Sequence, residues 1–206
     1  MDIRAQQESD IRLEWGPEGV GVLGEKCAVL VIVDVLSFCT TTDLVLGNGG
    51  RVLPVRWRDH RGAEIAKERG AILAGEGEWT LRPSSVTEIP SGTLLALPSP
   101  NGATLCDAAA TTGAEILAGC PLRPCVEDQL GAGAIVAALG DYGRLSAEAR
   151  LAATAAKATD IPVALAECSS GRELAAAGHG NDVTLAARLD TSSTVPVLRK
   201  GILEAW

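Results

Sequence analysis

Val31-Ile32-Val33-Asp34-Val35-Leu36-Ser37-Phe38-Cys39-Thr40-Thr41-Thr42 is the stretch on which the reading of this chain turns. An apolar run rich in β-branched residues predicts a strand buried on both faces, here over Val31–Leu36. A carboxylate near the end of such a strand is expensive to bury without a partner, and a metal ion or a reacting group would justify Asp34 there. The hydroxyl cluster then opens a helix over Thr41 to Leu46, closed by Gly47-Asn48-Gly49-Gly50. Helix N-termini offer free N–H groups and the positive end of a dipole, so the whole unit suggests a metal-assisted anion site.

Working outward, Ile11–Trp15 alternates like an edge strand and ends in the turn Gly16-Pro17-Glu18-Gly19. Short strands are expected at Arg51–Val55, Ala71–Ala74, Thr93–Leu97 and Glu115–Ala118. Helices are expected at Gly62–Arg69, Ala103–Ala110, Val126–Leu139, Ser146–Ala158 and Glu167–Ala177. Val183–Leu189 suits either type. Residues 79–92, rich in Pro, Ser and Thr, read as a surface loop. The segment after Asp34 and the one after Leu94 repeat one plan: strand, small polar loop, helix. If the two units lie side by side, both helix N-termini meet at one end of a parallel sheet, where α/β proteins bind ligands. The expected fold is a three-layer α/β/α arrangement around a largely parallel sheet, as one domain over 1–206 with sub-lobes 1–92 and 93–206 open.

Composition narrows the partners. Of the 206 residues, 47% are hydrophobic and only 3% aromatic, so the core must be aliphatic and alanine-rich. A net charge of −8 argues against nucleic acid or an anionic membrane and makes an anionic substrate depend on local arginines or a cation. Six cysteines form no CxxC pair and only two histidines accompany them, which disfavours a zinc cluster. The apolar segment Ala28–Leu36 is too short to span a bilayer and carries Asp34; with free thiols, a reducing cytoplasm is the expected compartment. Gly19-Val20-Gly21-Val22-Leu23-Gly24 matches GxGxxG, but a strand is expected after it rather than before it, so it is no dinucleotide fingerprint. No GxxxxGK[ST] exists, and Asp34-Val35-Leu36 lacks the second acid of a haloacid-dehalogenase-type phosphatase.

Glu14-Trp15-Gly16-Pro17, the Val33–Thr42 run, Leu97-Pro98-Ser99-Pro100-Asn101-Gly102 and Leu122–Ala134 occur in that order, followed by Ser170-Gly171-Arg172-Glu173-Leu174 and Val195-Pro196-Val197-Leu198. In that set the chain resembles the 2-phosphosulfolactate phosphatases over nearly its whole length. The resemblance implies a magnesium-dependent hydrolase converting 2-phospho-3-sulfolactate and water to 3-sulfolactate and phosphate, a step of coenzyme M synthesis. Two features depart from it. Ser37-Phe38 stand where many relatives carry an arginine, and Cys120–Pro124 is shorter by about one strand–helix–strand.

With the resemblance, Asp34 is first a metal ligand and second a carboxylate nucleophile, against the plainer role of helix cap. Glu127 and Asp128 complete an oxygen shell for Mg²⁺, or form an acidic first turn. Glu76 is a further candidate ligand. Ser37, Thr40, Thr41, Ser99, Asn101 and Gly102 are candidate phosphate contacts, with capping or turn formation as the alternative. Arg123 and Arg172 are candidates for a second anionic group, or surface ion pairs. Cys39 and Cys125 read as small core fillers rather than nucleophiles. The expected partner is a small anionic phosphoester, with a homo-oligomer left open; a catalytically silent module binding phosphorylated or sulfonated metabolites is the competing class.

Overall fold

The computed structural model describes residues 2–117 and 124–206. It is a mixed α/β protein built on a five-stranded sheet and a separate parallel pair. The larger sheet runs in the order β3 (Ile72–Leu73), β4 (Leu94–Pro98), β2 (Arg51–Val55), β7 (Ile202–Ala205), β6 (Pro196–Arg199). The first three strands are mutually parallel, and β7 and β6 close the sheet as an antiparallel hairpin. Lys200 and Gly201 both take positive φ in its two-residue turn, the conformation that a tight hairpin requires. The small sheet pairs β1 (Val29–Val31) with β5 (Glu115–Leu117), and β5 lies alongside β6.

Alternation along the strands sets the layers. Val52, Leu95, Leu97 and Leu203 pack with Phe38, with Val45 and Leu46 of α2 (Thr40–Gly47), and with Ala103 and Cys106 of α4 (Gly102–Ala110). Leu53, Val55, Leu94 and Ala96 turn to the opposite face, against Ile65 and Ala66 of α3 (His60–Glu68). Helices therefore cover both faces of the main sheet. The small sheet packs Leu30 and Ile32 on Leu23 of α1 (Gly16–Gly24) and on Leu105 and Ala109 of α4.

The remaining helices form an alanine-rich cluster: α5 (Val126–Leu139), α6 (Ala147–Ala158), α7 (Ile161–Glu167), α8 (Ser169–Ala176) and α9 (Gly180–Ala186). Gly133 lets α5 approach α6 so closely that an added Cβ would collide with the carbonyl oxygen of Ala152. Ser146 caps α6 by accepting the Ala149 N–H at 3.1 Å. No helix among the described residues is long and apolar enough to cross a membrane.

The structure corrects the local reading at several points. The strand expected at Val31–Leu36 is only Val29–Val31, and it is not buried on both faces: Val29 and Val31 are 48% and 44% exposed. Beyond it, the Val35 N–H is taken by the carboxylate of Asp128. The Ile11–Trp15 strand reduces to a single bridge, Ile11 to Leu145, since Leu13 is drawn into the α5–α6 core instead. Gly16–Gly19, expected as a turn, opens α1, with Pro17 in the first turn where its missing N–H costs nothing. The Glu167–Ala177 helix is broken at Cys168 between α7 and α8, and the ambiguous segment after Asp182 is helical, in α9. The two similar units are not neighbours in one sheet, because β1 pairs with β5 while β4 lies between β3 and β2. The end of the strand expected to reach Ala118, Arg123, and all but the last residue of the shortened Cys120–Pro124 stretch lie outside the described residues.

Candidate active site

Three chain segments meet at Asp34. After β1 the backbone leaves Asp34 in a wide turn over Val35–Cys39, closed by the Cys39 N–H on the Asp34 carbonyl at 2.8 Å. The second segment is the β4–α4 loop. Ser99 is pinned to β2 by its N–H on the Val55 carbonyl, and the Gly102 N–H at the start of α4 donates to Asp34 Oδ2 at 3.0 Å and to Ser99 Oγ at 3.1 Å. The Ser99 hydroxyl and the Phe38 N–H complete the bonding of the Asp34 carboxylate. Only glycine fits at 102, because a Cβ there would stand 2.5 Å from the Phe38 ring and 2.9 Å from Asp34 Oδ2.

The third segment is the first turn of α5. Glu127 and Asp128 are 4% and 2% exposed. Asp128 Oδ1 accepts the Val35 N–H at 2.7 Å, and the Cys125 thiol bonds the same carboxylate. The Cys168 side chain, between α7 and α8, reaches Glu127. Gly131 keeps α5 against the turn, since its Cβ would meet Val35 Cγ2 at 2.8 Å.

Three buried carboxylates thus converge without basic partners: among the described residues, none of the ion pairs involves Asp34, Glu127 or Asp128. Burial pushes the Asp34 carboxyl up to about 6, against the opposing pull of the Gly102 and Phe38 amides and the Ser99 hydroxyl, with Glu127 adding repulsion. Burial likewise pushes Asp128 up to about 7, opposed by the Val35 amide and reinforced by Asp34 and Glu127. Removing carboxylates from water favours their neutral form, and a nearby negative charge favours it further. Such a donor set could hold a cation. Sγ of Cys125 and carboxylate oxygens of Glu127 and Asp128 lie within 4.8 Å of one another, and Asp34 is coupled electrostatically to both acids.

This electrostatic strain is measurable. Both carboxyls hold protons more tightly folded than unfolded, so the stability they contribute is full below pH about 4 and drains away as pH rises through about 6 and about 7. Cation-free protein is expected to lose on the order of 4 kcal/mol between pH 5 and 8 through this pair, roughly 8 to 16 °C in Tm. Thermal melts of the wild type and Asp128→Asn isolate that contribution: the variant's curve should be much flatter. Parallel curves would show that the two acids are not held under this strain.

The other expected site residues are placed as follows. Thr40 and Thr41 give their hydroxyl hydrogens to the carbonyls of Val35 and Leu81, at 2.8 and 2.7 Å, so they fasten the turn and α2 and have no hydrogen left for phosphate. Ser99 and Gly102 likewise serve Asp34, where the sequence suggested contact with phosphate. Ser37 is buried in the turn, Asn101 is exposed at the head of α4, and Arg172 is exposed on α8. Glu76 is exposed on a second cleft, lined also by Trp57, Asp59, His60 and Pro98, and none of the three acids is in its lining. Cys125 was read as a core filler, yet it stands at the site; its place two and three residues ahead of Glu127 and Asp128, at a helix start, is the signal that could have found it. Burial and the Asp34 charge hold the Cys39 thiol well above its usual range, so it is no thiolate nucleophile.

A cleft of about 640 Å³ runs from this site along β1, between α1 and α5, with Asp128 in its lining. Its walls are otherwise mostly aliphatic, including Val31, Ile135 and Leu139. The sequence model of the 2-phosphosulpholactate phosphatases matches residues 91–201, more than half of the chain. The chain belongs to that family. The matched region of this 2-phosphosulpholactate phosphatase family member carries Ser99, Gly102, Glu127, Asp128 and Arg172, while Asp34 lies outside it and joins the site through the fold. No curated protein matches the chain in sequence.

Proposed function

We propose that the protein is a phosphomonoesterase acting on a small anionic phosphoester, with 2-phospho-3-sulfolactate, split to 3-sulfolactate and phosphate, as the candidate substrate. The observation that carries this reading is the meeting of Asp34, Glu127 and Asp128, buried and without basic partners among the described residues, in a member of a phosphatase family. The donor set fits a divalent cation, for which we assign Mg²⁺, with Asp34, Glu127 and Asp128 as its holders. Bound there, it would supply positive charge to the phosphoryl oxygens. The chain's own part is positional. The Gly102 and Phe38 amides and the Ser99 hydroxyl fix Asp34, and the Val35 amide fixes Asp128. One carboxylate of the trio orients the attacking water and accepts its proton. Exposed Asn101 and Arg172 are assigned to the anionic groups of the substrate. The net charge of −8 supports small-molecule rather than nucleic-acid recognition, and the cytoplasm is the compartment we assign.

Release of phosphate from p-nitrophenyl phosphate and from sulfonated and carboxylated phosphoesters tests the reading. Activity is expected with Mg²⁺, lost in EDTA and recovered on adding Mg²⁺ back. Calorimetric binding of phosphate with no hydrolysis of any of these esters would overturn it in favour of a silent binding module.

A further inference from the structure

We propose that Cys125 makes the cation site a mixed thiolate–carboxylate site, able to hold a zinc-class ion (Zn²⁺, Co²⁺ or Cd²⁺) through a metal–sulfur bond. The inference rests on the acid cluster being the cation site and concerns which ions that site accepts. Cys125 Sγ and the carboxylate oxygens of Glu127 and Asp128 all lie within 4.8 Å of one another. Donors around one tetrahedral zinc, with bonds of about 2.0–2.3 Å, stand roughly 3.3–3.8 Å apart, so a small closure of side chains brings all three onto one ion. Three protein donors with a fourth position open is the pattern of catalytic zinc. Magnesium differs in kind: it takes oxygen donors in octahedral geometry and leaves thiols aside.

The local structure places the sulfur where this needs it. Cys125 is the residue before α5, in extended conformation (φ −123°, ψ 150°), and is only partly buried. The Cys125 thiol bonds the Asp128 carboxylate, a contact that a shared ion would replace, whereas the other two thiols near the acids also hold backbone bonds. Cys39 Sγ accepts the Asp34 N–H at 3.3 Å and donates to the Ile32 carbonyl, and Cys168 Sγ donates to the Leu165 carbonyl at 3.3 Å. On binding, the Cys125 S–H bond breaks, a sulfur–metal bond forms and the proton passes to solvent; no electron moves.

Titrating the reduced, cation-free full chain with Cd²⁺ and with Co²⁺ reads the bond directly, as a thiolate-to-metal charge-transfer band saturating at one equivalent. Cys125→Ser is expected to abolish the band and weaken Zn²⁺ binding by about 100-fold or more in competition with a chromophoric chelator, whereas Cys27→Ser keeps both. On the unaltered protein, Zn²⁺ should also shield Cys125 from iodoacetamide, as read by peptide mass spectrometry, so the test survives a Cys125→Ser chain that does not fold. A band that persists in Cys125→Ser overturns the proposal. So does Mg²⁺-dependent hydrolysis in a protein that shows neither band nor shielding, and the phosphatase reading then stands alone. Absence of both divalent-ion binding and hydrolysis would remove the phosphatase reading itself.

Discussion

Asp34→Asn is expected to lower kcat/KM for phosphomonoester hydrolysis by about 10²- to 10³-fold while leaving the fold intact and, near pH 8, more stable than the wild type. The asparagine side-chain oxygen can still accept the Gly102 N–H that Asp34 Oδ2 accepts at 3.0 Å, so the β4–α4 loop keeps its anchor. What disappears is the negative charge, which burial and Glu127 already disfavour. Activity and stability should therefore move in opposite directions, a signature that a merely structural aspartate would not give. Steady-state kinetics beside thermal melts measure both. Normal turnover by Asp34→Asn would remove Asp34 from the chemistry.

Gly133→Ala should destabilise the protein by at least about 3 kcal/mol, and larger side chains should prevent folding. An added Cβ would drive into the Ala152 carbonyl oxygen and come within 2.9 Å of the Ala156 Cβ. Both belong to a helix whose facing alanines, Ala149, Ala152, Ala153 and Ala156, are buried and leave no flexible side chain to give way. The matched control is Gly21→Ala in α1, where nothing lies within 4 Å of the added carbon. That change should be neutral or gain up to about 1 kcal/mol from helix propensity. Urea unfolding of the pair decides the matter: similar midpoints would refute the account of the α5–α6 crossing.

Elements carried by local pattern were legible in the sequence. Arg51–Val55 and Val126–Leu139 are found with the bounds expected, and Ser146 caps its helix as its position suggested. The likeness of the Asp34 and Leu94 units pointed to the proximity of their loops, which the Gly102–Asp34 bond realises, although through two different sheets. Misreadings fell where a distant partner decides the local conformation. Nothing near Val35 reveals that its amide belongs to a carboxylate 93 residues downstream, a bond that fixes the turn after β1. The glycine-rich α1 has weak intrinsic propensity and is held by Leu23 and Val20 packing against α4. The hydroxyls of Thr40 and Thr41 had named carbonyl partners that no spacing rule exposes.

The long spans that build the site also set the order in which it can be completed on the ribosome. Translation at about 5–20 residues per second separates the synthesis of Val35 from that of Asp128, 93 positions later, by roughly 5 to 19 seconds. Through that interval the nascent segment carries its first acid with no opposing helix to receive the turn that follows. Closure must await the arrival of α5, so the acid site is completed only after that helix has been made.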